Sequence, residues 1–339
     1  MRKLFYVLLA VVALVLLIGG YFYKSVFAVN TNSSDSKEIF IPTGSSYDDV
    51  VAILKEGQVL KDYVAFDQVA TWMKYKKDEV PAGHYVINPE QTNKSIVRML
   101  RAGEQAPMKL TINNVRTLAE LAGAISKYIE TDSLMILNVL RDPTIQSKYN
   151  KNAETMMTAF LPDTYEVFWT AKPEKVIEKL ADHTNNFWEK NAGKLAKHGL
   201  TTEEAYTMAS IVDKESNLAA EKATVAGVYL NRIKTGMKLQ ADPTVVFAMQ
   251  DFTLRRVLLK HLEFDSPYNT YMYAGLPPGP ICMPSMSSLN AVINAEDHDY
   301  IFFCAKPGYN AGHLFASNLT DHNQNAQTYQ KWLASEGIF

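Results

Sequence analysis

The sequence predicts an α+β protein carried on an N-terminal membrane helix. Three observations lead there. Leu4 to about Tyr23 is an apolar run long enough to cross a bilayer as a helix. Short strand patterns and helical patterns share the stretch from Glu38 to about Gly103. From Pro173 onward amphipathic helices with legible ends dominate. The 339 residues, 47% hydrophobic and 21% charged, suit two or three globular domains rather than a disordered chain. A net charge of -2 gives no electrostatic case for nucleic acid. Cys282 and Cys304 make neither a disulfide framework nor a zinc spacing and read as buried free thiols. No H-E-x-x-H, P-loop or G-x-G-x-x-G is present.

Taken in order, residues 1–29 read as anchor and flank. Arg2 and Lys3 precede the apolar run, which predicts a cytoplasmic N-terminus and an exported remainder. Tyr21, Phe22 and Tyr23 stand where an interfacial aromatic belt belongs, which favours an anchor over a signal peptide cleaved after Val26-Phe27-Ala28. Residues 30–37 are polar and read as a linker. The S-x-x-K formed by Ser34 and Lys37 falls in that linker, where nothing would hold the serine in a pocket, and is taken as chance.

Residues 38–105 form a small α/β module. Ile39-Phe40-Ile41 is a strand, Tyr47 to Glu56 and Asp62 to Tyr75 are helices, and Ala82 to Ile87 is a second strand. A helix from Thr92 to Arg101 is opened by the Thr92 cap and closed by Gly103. Residues 106–339 form the larger domain. Lys109 to Ile112 is a strand and Thr117 to Ile129 a helix. Pro162 and Asp163 make a turn, beside which Tyr165 offers a ring to pack and a hydroxyl to bond. A long helix or helix pair covers Pro173 to about His198. Thr201 and Glu204 form a capping box, and a further helix runs from about Ala220 to Lys234 with Gly236 as its stop.

The helix after Thr201 carries the candidate chemistry. Met208, Ile211, Val212 and Glu215 fall on one helical face. A carboxylic acid on an apolar stripe resists ionisation, and an acid that keeps its proton near neutrality is what a general acid requires. Asp213, two positions away, points about 200° around the helix, toward solvent or a salt bridge.

Several blocks then carry a resemblance to one family. Ala209-Ser210-Ile211-Val212-Asp213-Lys214-Glu215-Ser216 is followed by Val228 to Arg232 and by Leu239-Gln240-Ala241-Asp242-Pro243-Thr244-Val245. Next come Ser266-Pro267-Tyr268-Asn269-Thr270-Tyr271 and Gly275-Leu276-Pro277-Pro278-Gly279-Pro280-Ile281. The last block is His313, Phe315, Asn318-Leu319 and His322-Asn323. In this order they resemble the MltG (YceG-like) family of bacterial lytic transglycosylases. Pro42, Gly44, Ser46, Ala82, Gly83 and Tyr85, and then Leu161 to Tyr165, extend the likeness upstream. Asp213, Ser216 and Ala241 are its mild departures.

The resemblance implies a LysM-like first module and a lysozyme-like catalytic domain, anchored in the bacterial inner membrane. It implies endolytic cleavage of peptidoglycan strands between N-acetylmuramic acid and N-acetylglucosamine, leaving 1,6-anhydromuramoyl ends, without cofactor or metal. Glu215 would act as acid and then base, beside peptidoglycan polymerases, limiting strand length. Ser216, Gln240, Tyr268, Asn269 and Tyr271 are expected to line the sugar cleft. Asp242 fits either a helix N-terminus or a substrate contact, and His313 either substrate binding or a structural role. A muramidase pairing Glu215 with Asp242 or Asp265, and a silent glycan-binding scaffold, are the alternatives.

Overall fold

The computed structural model describes residues 2–254, 256–309 and 312–337. The chain forms two compact units. The first comprises residues 1–110, 127–131 and 166–172, and the second comprises 111–126, 132–165 and 173–339. The strands pair as separate two-stranded sheets.

In the first unit the N-terminal helix α1 runs from Arg2 to Phe27, long and apolar enough to cross a membrane, with its apolar side chains exposed. Then follow β1 (Lys37–Ile41), α2 (Tyr47–Glu56), α3 (Tyr63–Trp72), β2 (Gly83–Ile87) and α4 (Asn93–Ala102). β1 and β2 are antiparallel, with Ile39 opposite Tyr85 and Lys37 opposite Ile87. Strand alternation turns Ile39 and Ile41 inward, where they meet Leu54, Phe66, Tyr75, Ile96 and Leu100. Thr92 opens α4 and Gly103 closes it at a φ of 69°, as the sequence predicts; Ser46 caps α2, and Asp62 caps α3, which ends at Trp72 short of the expected Tyr75.

The expected linker is fixed at its start. Asn30 and Thr31 are buried. The Asn30 amide donates to the Asp62 carbonyl and to Asn93 Oδ1, both at 2.7 Å, and the Asp62 N–H donates back to Asn30 Oδ1 at 2.8 Å. Asn93 Nδ2 donates to the Ser25 carbonyl at 2.9 Å. Val26 is buried, and Phe22 packs edge-on against Trp72. A polar composition predicts solvation, yet these asparagines serve as interior hydrogen-bonding groups that join α1 to the module.

The return segments 127–131 and 166–172 belong to the first unit for local reasons. Glu130 accepts from the Thr43 N–H and hydroxyl, Trp169 packs on Phe40, and Gln105 bonds Thr170. The domain boundary expected near residue 105 is therefore crossed again by later chain.

The second unit contains α5 (Leu118–Ile125), α6 (Ser133–Arg141), α7 (Pro143–Lys148), α8 (Pro173–Ala196), α9 (Thr202–Glu215), α10 (Lys222–Lys234), α11 (Asp242–Met249), α12 (Met286–Ile293) and α13 (Leu319–Ser335). The strands β5 (Phe302–Ala305) and β6 (His313–Ala316) form an antiparallel pair. β3 (Met108–Ile112) and β4 (Asp163–Val167) form a further two-stranded sheet. Helix α5 ends at Ile125, short of the expected Ile129, because the following residues turn into the first unit.

Helix α9 is the axis of the second unit. Its capping box is complete, with the Glu204 N–H donating to Thr201 and the Thr201 N–H donating to Glu204. Every residue from Ala205 to Val212 is buried, against α8, α10, α11 and α12. The helix is thus enclosed on all sides rather than along the single stripe its periodicity suggests. Ser210 is tolerated inside because its Oγ donates to the Thr207 carbonyl and accepts from the Ile281 N–H. Full burial of side chains such as Ile211 and Val212 stabilises by roughly 1.5–3 kcal/mol each.

Candidate active site

Glu215 is the last residue of α9, where the helix leaves the interior. It retains partial solvent access and lines a cavity of about 490 Å³ with Ser216, Glu221, Lys306, His313 and Tyr329. Burial raises its carboxyl to about 7; the hydrogen bond from Tyr229 and the charge of Arg232 oppose that rise, and the charge of Asp242 adds to it. The Tyr229 hydroxyl donates to Glu215 Oε1 at 2.8 Å. A carboxyl so placed holds a proton near neutrality, as general acid catalysis needs.

Asp213 has the opposite environment. Burial pushes its carboxyl up, but bonds from Ser285 and Ser288 and the nearby Lys222 charge overcome this and hold it at about 2. Ser285 Oγ donates to it at 2.6 Å and Ser288 Oγ at 2.8 Å, while Lys222 Nζ lies 3.4 Å away. Asp213 therefore pins α9 to the start of α12, and of the two expected environments the ion pair is the one found.

Three further residues form a chain beside Glu215. Ser216 Oγ donates to Glu221 Oε1 at 2.5 Å, and His313 Nδ1 lies 2.7 Å from the same oxygen. The His313 N–H donates to Glu221 Oε2 at 3.0 Å. Burial acts upward on the Glu221 carboxyl, but its bonds from Ser216 and His313 prevail and lower it. Gly312, at a φ of 77°, approaches Glu221 so closely that a Cβ would strike the carboxylate. Glu221 is absent from the sequence-predicted set. Its sign lies in its partners: Ser216 and His313 are both predicted, and Glu221 joins them.

A second group gathers around Asp242, whose charge bears on Glu215. Asp242 is exposed in the first turn of α11 and accepts from the Tyr271 hydroxyl at 2.6 Å. Gln240 is exposed and adopts a left-handed φ of 49°, a strain of roughly 1–3 kcal/mol. Its N–H donates to the Thr270 carbonyl at 3.1 Å, and Thr270 Oγ1 lies 2.8 Å from Thr244 Oγ1, which ties this segment to α11. Arg232 is buried over Phe302 and Phe303, donating to the Ile301 and Leu239 carbonyls.

A YceG-like family model matches residues 39–328. The chain belongs to the YceG-like family. A curated Bacillus subtilis (strain 168) protein named endolytic murein transglycosylase is 32% identical over 334 residues, covering 93% of this chain and 91% of its own. A protein of the same name from Streptococcus pneumoniae (strain D39) is 25% identical, covering 91% of this chain but 62% of its own. A 2.6 Å crystal structure described as a yceG-like protein, from Listeria monocytogenes, superposes with a TM-score of 0.59 at 29% identity, covering 86% of this chain and 99% of that one.

Within this YceG-like chain the remaining predicted residues divide. Asn269 is fully buried: its amide donates to the Leu262 and Phe264 carbonyls, and its Oδ1 accepts from the Tyr271 N–H. It shapes the loop rather than facing a ligand, because every polar atom is already used. Tyr268 packs on Phe247, with its hydroxyl beside Gly279, where a Cβ would collide with the Glu154 carbonyl. The expected turn tyrosine, Tyr165, closes its own turn by donating to the Leu161 carbonyl at 2.8 Å. Both thiols are free; Cys282 is buried and its thiol pushed up to about 12, whereas Cys304 is only half-buried on β5.

Proposed function

We propose that this chain is a membrane-anchored endolytic peptidoglycan lytic transglycosylase with Glu215 as its catalytic acid and base. The observation that carries the reading is a single cavity-lining carboxyl held at about 7, with a protein hydroxyl donating to it. The names of the relatives support the substrate class.

Protonated Glu215 gives its proton to the oxygen linking N-acetylmuramic acid to N-acetylglucosamine. Tyr229 steadies the carboxylate that results. The carboxylate then takes a proton from the muramoyl C6 hydroxyl, which closes on C1 and leaves a 1,6-anhydro end. The nucleophile belongs to the sugar, so water is not consumed and one protein carboxyl serves both steps. Most glycosidases instead divide these roles between two carboxyl groups. Ser216, His313, Gln240, Asp242, Tyr268 and Tyr271 bind or frame the sugars in this reading.

The first unit has the β1-α2-α3-β2 order and antiparallel sheet that suit a LysM-like glycan-binding module. Arg2 and Lys3 before the apolar helix favour a cytoplasmic N-terminus, with the enzyme outside the inner membrane. An enzyme held there acts on strands still near their polymerases and limits their length.

Exposed Asp242, whose charge bears on Glu215, supports a second reading as a muramidase in which Asp242 directs water to C1. Mass spectrometry of products from purified strands separates the two. Anhydro ends support the transglycosylase, and reducing ends heavier by one water support the hydrolase. Full activity of Glu215→Gln would sink both.

A further inference from the structure

A second cavity, of about 360 Å³, opens beside the catalytic helix. Three cationic side chains line it, Arg116, Lys214 and Arg256, against one carboxylate, Asp242. Much of the remaining wall is apolar, with Phe247, Phe252 and Val257. The Arg116 guanidinium stacks on Phe252, 4.7 Å from the ring centroid. Among the described residues no carboxylate pairs with Arg116 or Arg256. Lys214 lies 3.4 Å from Asp213, whose shorter bonds go to Ser285 and Ser288.

The cavity adjoins the reacting carboxyl through two residues. Lys214 immediately precedes Glu215 on α9, and Asp242 is held by Tyr271. A local excess of positive charge stands out in a chain whose net charge is -2. In a peptide-bearing strand each muramoyl lactyl carboxyl is tied up as an amide, so the sugars themselves give these cations nothing to pair with. The anionic part of peptidoglycan next to the cleaved bond is the peptide on the muramoyl lactyl group, which carries carboxylates on short aliphatic residues. A guanidinium matches a carboxylate through two parallel N–H bonds.

We propose that this cavity is a stem-peptide subsite, in which Arg116 and Arg256 pair with peptide carboxylates and the Phe247, Phe252 and Val257 wall takes aliphatic side chains. It rests on the peptidoglycan reading above and assigns that reading a substrate form: the strand bearing its peptide. Lys214, on the same helix as Glu215, adds a point charge to the cavity wall.

The test compares strands of equal length that carry the peptide with strands whose lactyl carboxyls are capped as simple amides (the bare strands), using the full chain in detergent. The wild type should show a KM roughly tenfold lower for peptide-bearing strands, the effect of one good charge-assisted contact. The double variant Arg116→Ala/Arg256→Ala should lose most of that preference while cutting bare strands at the wild-type rate. Arg116→Lys should lose part of it, because the charge stays and the fork is gone. Thermal melting confirms that the variants are folded. Equal KM values for both strands in the wild type overturn the proposal, as does an undiminished preference in the double variant. A preference that follows a terminal diphosphate in place of the peptide also overturns it. Failure to cut either strand removes the parent reading and the subsite with it, whereas cutting without preference removes the subsite alone.

Discussion

The Tyr229 hydroxyl donates to Glu215 Oε1 at 2.8 Å, from a tyrosine that is fully buried. The bond favours the ionised carboxyl and so opposes the desolvation that raises it. Tyr229→Phe removes a bond to a charged group worth about 1.5–3 kcal/mol. The Glu215 pKa should therefore rise by about one to two units. The alkaline limb of the pH–rate profile should move up correspondingly. Turnover at neutral pH should fall roughly tenfold or more, because the carboxylate needed for the second step has lost its donor. A limb that stays in place would deny the bond any part in catalysis.

Glu215 also links stability to pH. Its folded value of about 7 lies above its ordinary 4.5. Between those values the folded chain keeps a proton that the unfolded chain releases, so stability falls as pH rises through this window. Below it both states are protonated and the contribution is intact; above it the burial cost of the charge is fully felt, up to about 3 kcal/mol. Glu215→Gln should accordingly be inactive, similar in stability to the parent at pH 4, and more stable at pH 8. Urea titrations at the two pH values measure the difference.

Asp213 should behave in the opposite sense. Its carboxyl, held at about 2 by Ser285, Ser288 and Lys222 against burial, contributes stability above its ordinary value that is lost as pH falls toward 2. Asp213→Ala leaves Lys222, whose side chain is 7% exposed, without its carboxylate. The expected cost is about 3–5 kcal/mol, as for other broken buried pairs. A lower urea midpoint should accompany any lost activity. Inactivity at unchanged stability would instead give Asp213 a chemical role.

The parts of this site legible in the sequence are those encoded by local rules. The Thr201/Glu204 box and the Gly103 stop follow from the needs of helix ends, and both stand where expected. The placement of Glu215 follows from helical period and the loss of apolar neighbours after Val212. Glu221 was hidden because its meaning comes from His313, 92 residues later, and no local pattern encodes that pairing. Asn269 is ambiguous in the sequence for a related reason. An amide that binds sugar and one that binds two carbonyls of its own loop are the same side chain in sequence. Asn30 falls in the polar stretch read as a linker for the same reason, and only the fold turns it inward. The recurrence of the chain in the first unit at 127–131 and 166–172 rests on single contacts such as Glu130 to Thr43. No periodicity announces them.

The close approach of Gly312 to Glu221 makes a separate prediction. Gly312→Ala adds a Cβ that meets the carboxylate and forces a left-handed φ on a residue with a side chain. Glu221 must shift, and its bonds to Ser216 and His313 are disturbed together. Glu221→Gln keeps the shape but weakens both bonds. Each variant should raise KM for glycan by roughly tenfold, an effect of about 1.4 kcal/mol, with little change in the pH limb set by Glu215. A shift of that limb without a KM effect would place Glu221 in the proton transfer itself.

The union of α1 with the first unit leads to the last expectation. A flexible tether would let residues 28–32 exchange amide hydrogens freely, but here the Asn30 N–H donates to the Gln91 carbonyl and the Asn32 N–H to the Val59 carbonyl. Asn93 supports this arrangement by donating to Ser25 and accepting from Asn30. Asn93→Ala leaves the Ser25 carbonyl and the Asn30 amide without this partner in a buried setting, at a cost of about 1–3 kcal/mol. In detergent, hydrogen exchange across residues 28–32 should be slow in the wild type and roughly tenfold or more faster in the variant, while the interior of α9 exchanges alike in both. Fast exchange of 28–32 in the wild type would restore the flexible linker that the polar composition suggests. Slow exchange means that residues 28–32 are held as part of the first unit and continue directly from α1.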